Sequence, residues 1–144
     1  MFFNHDSTYF LINLYSDSSQ SALKYFKDTE VNINNILIMT GDFNIRDNIW
    51  DSGFPYHFQH SSVLFDIIVS FHLKLSRPTK QIPTRYYDNQ WDSNSVIDHI
   101  FLRPKSLEHD KHTIHPNLRL TSDHASLIVD ILIFKNIFKQ EDAH

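Results

Sequence analysis

Apolar residues fall into blocks of two periods along the chain. Tyr9-Phe10-Leu11-Ile12-Asn13-Leu14-Tyr15 is rich in aromatic and branched residues and reads as a strand. Ser16-Asp17-Ser18-Ser19 then offers N-cap residues for a short helix carrying Ala22, Leu23 and Phe26. Ile36-Leu37-Ile38-Met39 is an uninterrupted apolar run, the pattern of a buried strand. Thr40 to His60 reads mostly as loop, broken by Gly53 and Pro55. Val63, Leu64, Ile67, Ile68, Phe71 and Leu75 recur at helical spacing, and Ser76-Arg77-Pro78 should end that helix. Thr84 to Tyr87 is strand-like, and Asp88 to Asn94 looks like a hairpin tip. Val96 to Leu102 predicts a strand closed by Arg103-Pro104, Ile114 a short strand, and Ser126 to Phe134 the last strong one.

Strand, helix, strand, helix and then several strands is an α/β order with a mixed sheet. At 144 residues the chain is one domain or part of one, with residues 1–135 as the domain and a frayed tail over 136–144. Hydrophobic content of 41% is enough for a real core. Cysteine is absent, which excludes disulfides, thiolate zinc sites and thiol catalysis. The formal charge of −4 gives no global basic field, so nucleic acid would have to use a local patch. His109, His112 and His115 are spaced by three but have no acid or Cys at ligand spacing, and read as exposed histidines of a polar loop. No apolar stretch approaches the ~20 residues that cross a bilayer. The first residues lack the form of a signal peptide, so the expected location is intracellular, the nucleus included.

The chemistry concentrates in two short strings. Gly41-Asp42-Phe43-Asn44 follows the run Ile36–Met39, and Ser122-Asp123-His124 precedes the last strand. Together they supply two acids, an amide and an imidazole, the groups that activate water beside a divalent metal and steady a phosphate. In extended backbone Asp42 and Asn44 share one face. The plainer alternative is an Asx turn, with Asp42 capping the loop. His124 could protonate a leaving oxygen or stabilise charge, and such a histidine usually needs a carboxylate to fix its tautomer. Asp98, in Ile97-Asp98-His99-Ile100, is the candidate, because an acid within an apolar strand is costly unless paired. The alternative is a wet strand face on which Asp98 and His99 are ordinary exposed residues.

These strings resemble the endonuclease/exonuclease/phosphatase superfamily. Gly41-Asp42-Phe43-Asn44 is similar to its GDxN motif, Ile97-Asp98 to its later Asp motif, Ser122-Asp123-His124 to its terminal SDH, and Asn13-Leu14-Tyr15-Ser16-Asp17 to its tyrosine-bearing segment. Within it, Pro83-Thr84-Arg85-Tyr86 and Leu120 to Ala125 resemble the endonuclease domains of non-LTR retrotransposons and related fungal proteins. Asn44-Ile45-Arg46 also resembles the inositol-phosphate phosphatases, but those carry Trp-x-Asp-Arg where this chain has Val96-Ile97-Asp98-His99, which favours the nuclease side.

The resemblance implies half of a four-layer α/β sandwich, with one mixed, mostly antiparallel sheet and flanking helices. It implies a metal-dependent phosphodiesterase acting on nucleic acid, DNA rather than RNA. Asp42 would activate or orient the attacking water, and Asn44 would help hold it and the phosphate. Tyr15 would contact the scissile phosphate, Asp98 would orient His124, and Asp123 would act at the metal, Mg2+ or Mn2+. Thr84, counted with Arg85 among the nucleic-acid-binding residues, would lie before a target-shaping hairpin, Arg85 to Asn94, whose Tyr86, Tyr87 and Trp91 could stack on bases or, equally, pack the hairpin down. Arg77, Lys80 and Arg85 form a stretch without acids that could contact phosphates; the alternative, at least as favoured, is a solvated loop.

The chain also departs from that pattern. It corresponds to the C-terminal half, whereas the family's first half supplies an early Asn and a metal-ligating Glu. Glu30, Glu108 and Glu141 are the glutamates here, and none sits in that motif. The resemblance therefore implies weak or absent metal binding in a truncated remnant. A missing sheet would bare the apolar face of the other and favour self-association. The alternative reading is an inactive fragment that binds nucleic acid weakly or serves as an interaction module.

Overall fold

A computed structural model describes residues 10–29, 36–57, 61–87, 94–103, 111–118 and 121–129. Strand β1 (Phe10–Tyr15), helix α1 (Ser21–Asp28) and strand β2 (Ile36–Asp42) form a βαβ unit in which the two strands run parallel. Helix α2 (Ser62–Ser70) follows, then β3 (Lys74–Leu75), β4 (Arg77–Pro78), β5 (Asp98–Leu102), β6 (Lys111–His115), a 3-10 turn over Pro116–Leu118, and β7 (Ser126–Val129). The architecture is α/β, two helices with two mixed sheets, consistent with half of an α/β sandwich. The strands divide between a four-stranded sheet, β1-β2-β5-β3, and a three-stranded sheet, β4-β6-β7, so the single sheet expected from the sequence is two. The division falls at Ser76. Its N–H donates to Ile100 of the first sheet, and its hydroxyl meets His112 Nδ1 of the second at 2.9 Å.

Strand β2 lies inside the first sheet and is buried over Ile36–Met39, which explains its unbroken apolar run. Its helix-facing side joins Leu23, Leu64, Ile67, Phe71 and Phe101. Its other side contributes Leu37 and Ile38, with Ile100 and Leu102 of β5, against Leu127 and Val129 of β7. The second sheet thus covers part of the face that the sequence reading left bare. On β1, Leu11 and Tyr15 do stay exposed, at 62% and 72%.

Several local readings need correction. Helix α2 ends at Ser70, not at Ser76-Arg77-Pro78. His72 takes φ 54°, its N–H donates to Val69 and that of Leu73 to Ile68, the six-to-one pattern of a Schellman cap. A histidine stands where glycine is usual, which hid the stop; Leu75 belongs to β3. The α1 N-cap is Gln20, in the left-handed region. Asp17 still serves the helix start, accepting from the Ser21 N–H at 3.2 Å. Strand β5 begins at Asp98, and Thr84–Tyr87 contributes only isolated bridges at Arg85. Residues 88–93 of the hairpin tip, Trp91 among them, His109, the strand residues beyond Val129 and the tail all lie outside the described residues.

His112 is not an exposed loop histidine, nor is His99 exposed: they are 4% and 3% accessible. Burial lowers the His99 pKa from 6.5 to about 3, helped by the nearby charges of His112 and Arg77. Burial alone lowers His112 to about 4. Both rings must gain a proton on unfolding below about pH 6.5. Their contribution to stability is therefore complete above that value and is lost as pH falls toward 3–4, by roughly 1.4 kcal/mol per pH unit for each ring. Asp42 and Asp98, pushed up by burial, offset part of this at the acid end. Thermal melts should show Tm falling between about pH 7 and pH 4.5, with a shallower fall in His112→Gln. A Tm indifferent to pH across that interval would contradict the burial of these rings.

Candidate active site

Asp42 ends β2, Asp98 begins β5 and His124 precedes β7, so the three come from the ends of strands in both sheets. Asp42 and Asp98 are antiparallel partners in register. The His124 ring stands over them: Nδ1 is 2.8 Å from Asp98 Oδ2, and Nε2 is 3.6 Å from Asp42 Oδ2 and 3.6 Å from Asp123 Oδ1. The short contact selects the tautomer in which Nδ1–H donates to Asp98, which leaves Nε2 facing the other two carboxylates.

Thr84 holds this frame together. The residue is wholly buried, and its hydroxyl accepts the N–H groups of Ile97 and Asp98 at 3.0 and 3.1 Å. Its carbonyl accepts the N–H of Ala125 at 2.7 Å. One residue therefore ties the start of β5 to the neighbour of His124, and its side chain is fully occupied inside the protein.

Gly41-Asp42-Phe43-Asn44 takes the Asx-turn reading of its sequence and not the extended one. Asp42 Oδ1 accepts the Asn44 N–H at 2.9 Å, an Asx turn, while Oδ2 faces His124. Asn44 has φ 52°, so it lies beyond the strand in a left-handed turn rather than on extended backbone. That turn directs the loop into a framework of two buried aspartates. Asp47 accepts from Ile49 N–H and Ser61 Oγ and contacts His57 Nδ1; Asp51 accepts from Arg46 Nε and Gly53 N–H.

Burial pushes the Asp42 carboxyl above its usual range against the pull of His124, and burial likewise raises Asp98. For Asp123 burial, the largest single influence, is outweighed by the hydrogen bond from Arg85 together with the charges of His124 and Arg85, so its carboxyl lies below the usual range. One site thus holds one easily ionised carboxyl and two reluctant ones, the kind of divergence that separates acid–base roles.

The remaining candidates are less uniformly gathered. Tyr15 pairs in register with Asp42, but its side chain is 72% exposed. Arg85 is engaged at 3.1 Å with Asp123, and its guanidinium lies 4.6 Å from the Tyr87 ring centre. Tyr86 is half-buried, its N–H donating to Asp123 O at 2.7 Å. Arg77 donates through Nη1 to the Ile49 carbonyl at 3.1 Å. The Arg85–Asp123 pair and the aspartate framework carried no sequence signal, because ordinary charged residues in polar segments give none.

Asp42, Asp98 and His124 each offer a ligand atom within 4.8 Å of one another. With Asp98 already committed to His124, the carboxylates left to a cation are Asp42 and Asp123. Two carboxylates with open coordination suit a hard divalent ion of the Mg2+ type, which keeps waters and shares substrate phosphates. Residues 9–128 match the family described as endonuclease-reverse transcriptase. No curated protein matches the chain at a significant level.

Proposed function

The chain belongs to the endonuclease-reverse transcriptase family, and from that premise we propose that this nuclease-type domain hydrolyses phosphodiester bonds of DNA with the help of Mg2+ or Mn2+. The observation that carries the reading is the 2.8 Å Asp98–His124 contact with Asp42 and Asp123 on the far side of the ring.

Asp42 receives the proton of the attacking water, for which a carboxyl raised by burial is suited. Asn44 orients that water and a phosphoryl oxygen. His124, held by Asp98, stabilises the charge that develops on the phosphate, and Tyr15 contacts the phosphate from the end of β1. Asp42 and Asp123 would hold the cation, which would supply neutralising charge for the phosphate. Arg85, Tyr86, Tyr87 and Trp91 contact the nucleic acid; Thr84 supports the start of that segment from inside.

The second reading, a catalytically inactive domain that binds nucleic acid weakly, is favoured by one observation. The Arg85 guanidinium already neutralises Asp123 and competes with a cation. Incubation with supercoiled plasmid separates the two. The enzyme reading expects relaxed circles with Mg2+ and none with EDTA. Equal relaxation with and without EDTA, or none with Mg2+ or Mn2+, sinks it. Among the described residues no helix is long and apolar enough to cross a membrane.

A further inference from the structure

Beside Asn44 lies a cleft of about 390 Å³, walled by Arg46, Phe54, Tyr87, Ser95 and Ile97. Its size falls in the range, roughly 300–1,000 Å³, that accepts small organic ligands. Arg46 is held on two sides. Its Nε donates to the buried Asp51 carboxylate at 2.9 Å, and its guanidinium lies 5.0 Å from the Phe54 ring centre. Among the described residues its two Nη groups make no hydrogen bond, so a fixed planar fork of donors is presented at the cleft. Ser95 is 1% exposed and lines the same cleft, yet its hydroxyl has no partner among the described residues. A buried hydroxyl without a partner is uncommon and points to a ligand atom that completes it.

We propose that this cleft is a base-reading subsite that takes the nucleobase next to the scissile phosphate and prefers guanine. The inference rests on the nuclease reading for its placement. The chemistry of the walls selects the ligand. Aromatic rings and Ile97 favour a flat, largely apolar body over a bare phosphate. The Arg46 fork matches two adjacent acceptors, as guanine O6 and N7 offer; adenine puts a donor in place of one of them. Ser95 Oγ is left to bond a further polar atom of the base.

The test uses the full chain without metal, titrated with dGMP, dAMP and inorganic phosphate and followed by NMR chemical shifts of the Arg46 and Ser95 amides. dGMP should bind about tenfold more tightly than dAMP, a difference typical of one bidentate contact. Arg46→Lys, which keeps the charge and loses the fork, should bring the two to within about twofold, with a melt that is lowered by the lost Nε–Asp51 bond but still cooperative. Equal binding of dGMP and dAMP by the parent overturns the inference, as does inorganic phosphate displacing dGMP at equal concentration, which would make Arg46 a phosphate site. Arg46→Lys with undiminished discrimination overturns it too. Ser95→Ala gives a second check: weaker dGMP binding supports the subsite, and unchanged binding removes Ser95 from it. The plasmid assay fails or succeeds separately. Guanine-selective binding without nicking leaves the subsite standing and sinks the nuclease reading; nicking without it does the reverse.

Discussion

Asp98→Asn should reduce plasmid nicking by roughly 10²–10⁴, and His124→Ala should do at least as much. Asp98 accepts the Nδ1–H of His124 at 2.8 Å. An asparagine of the same shape can turn its NH2 toward that nitrogen, which holds the ring in the opposite tautomer and removes the charge that supports an imidazolium. The bond from the N–H of residue 98 to Thr84 Oγ1 is backbone and survives the substitution. Asp98 acts through His124, so the losses should not add. The double variant should lie close to His124→Ala alone, a coupling that single-turnover rates would expose. If the two losses multiply instead, Asp98 has a role of its own, at a cation for example, and does not act through the imidazole.

Gly41→Ala should be the most damaging single methyl group in the chain. Gly41 sits in β2 opposite Leu14 of β1 with φ 142°, a conformation that residues with a Cβ rarely adopt. An added Cβ would lie 1.9 Å from the Leu14 carbonyl oxygen, which is backbone and cannot swing aside. Relief requires β1 and β2 to part, just where Ser16 N–H still donates to Asp42 O at 2.8 Å. Backbone strain of this kind costs about 1–3 kcal/mol, and the lost strand pairing adds to it. Chemical denaturation should show a loss of about 3 kcal/mol or more, or no folded protein on expression. A variant with the parent's midpoint would mean that the β1–β2 register is not as described. Gly53, the other glycine, would place an added methyl 3.5 Å from Asp51 Oδ1 and should accept alanine with little change.

How much of this was legible in the amino-acid order depended on whether the signal was local. The runs at Phe10–Tyr15 and Ile36–Met39 gave their strands, since apolar, branched residues in short blocks have few other uses. The pairing of Asp98 with His124 followed from the expense of a lone acid in an apolar strand. Asp42 took the Asx turn through one oxygen, while the other faces His124; the extended backbone that would have put Asn44 on the same face did not form. The end of α2 was missed because a histidine occupies the left-handed cap position. The burial of His99 and His112 was missed because nothing in the spacing of imidazoles tells an inward ring from an outward one. The separation into two sheets turns on Ser76, whose two partners lie 24 and 36 positions away in sequence. Asp47 and Asp51 carry no local signal, and only the folded loop reveals Asp47 bonded to Ile49 and Ser61 and Asp51 bonded to Arg46 and Gly53.

Ser76 also fixes how the molecule would respond to loosening. Asp42 and Asp98 belong to one sheet and His124 leads into the other, and between β3 and β4 the chain passes from sheet to sheet through that single residue. The distance from Asp98 to His124 is therefore a gauge of sheet alignment. A slip of one ångström between the layers would leave Leu37, Ile100 and Leu127 still in greasy contact, yet it would break a 2.8 Å bond outright. The Asp98–His124 contact is thus the most brittle feature of the fold, and it would vanish while the secondary structure still looked intact.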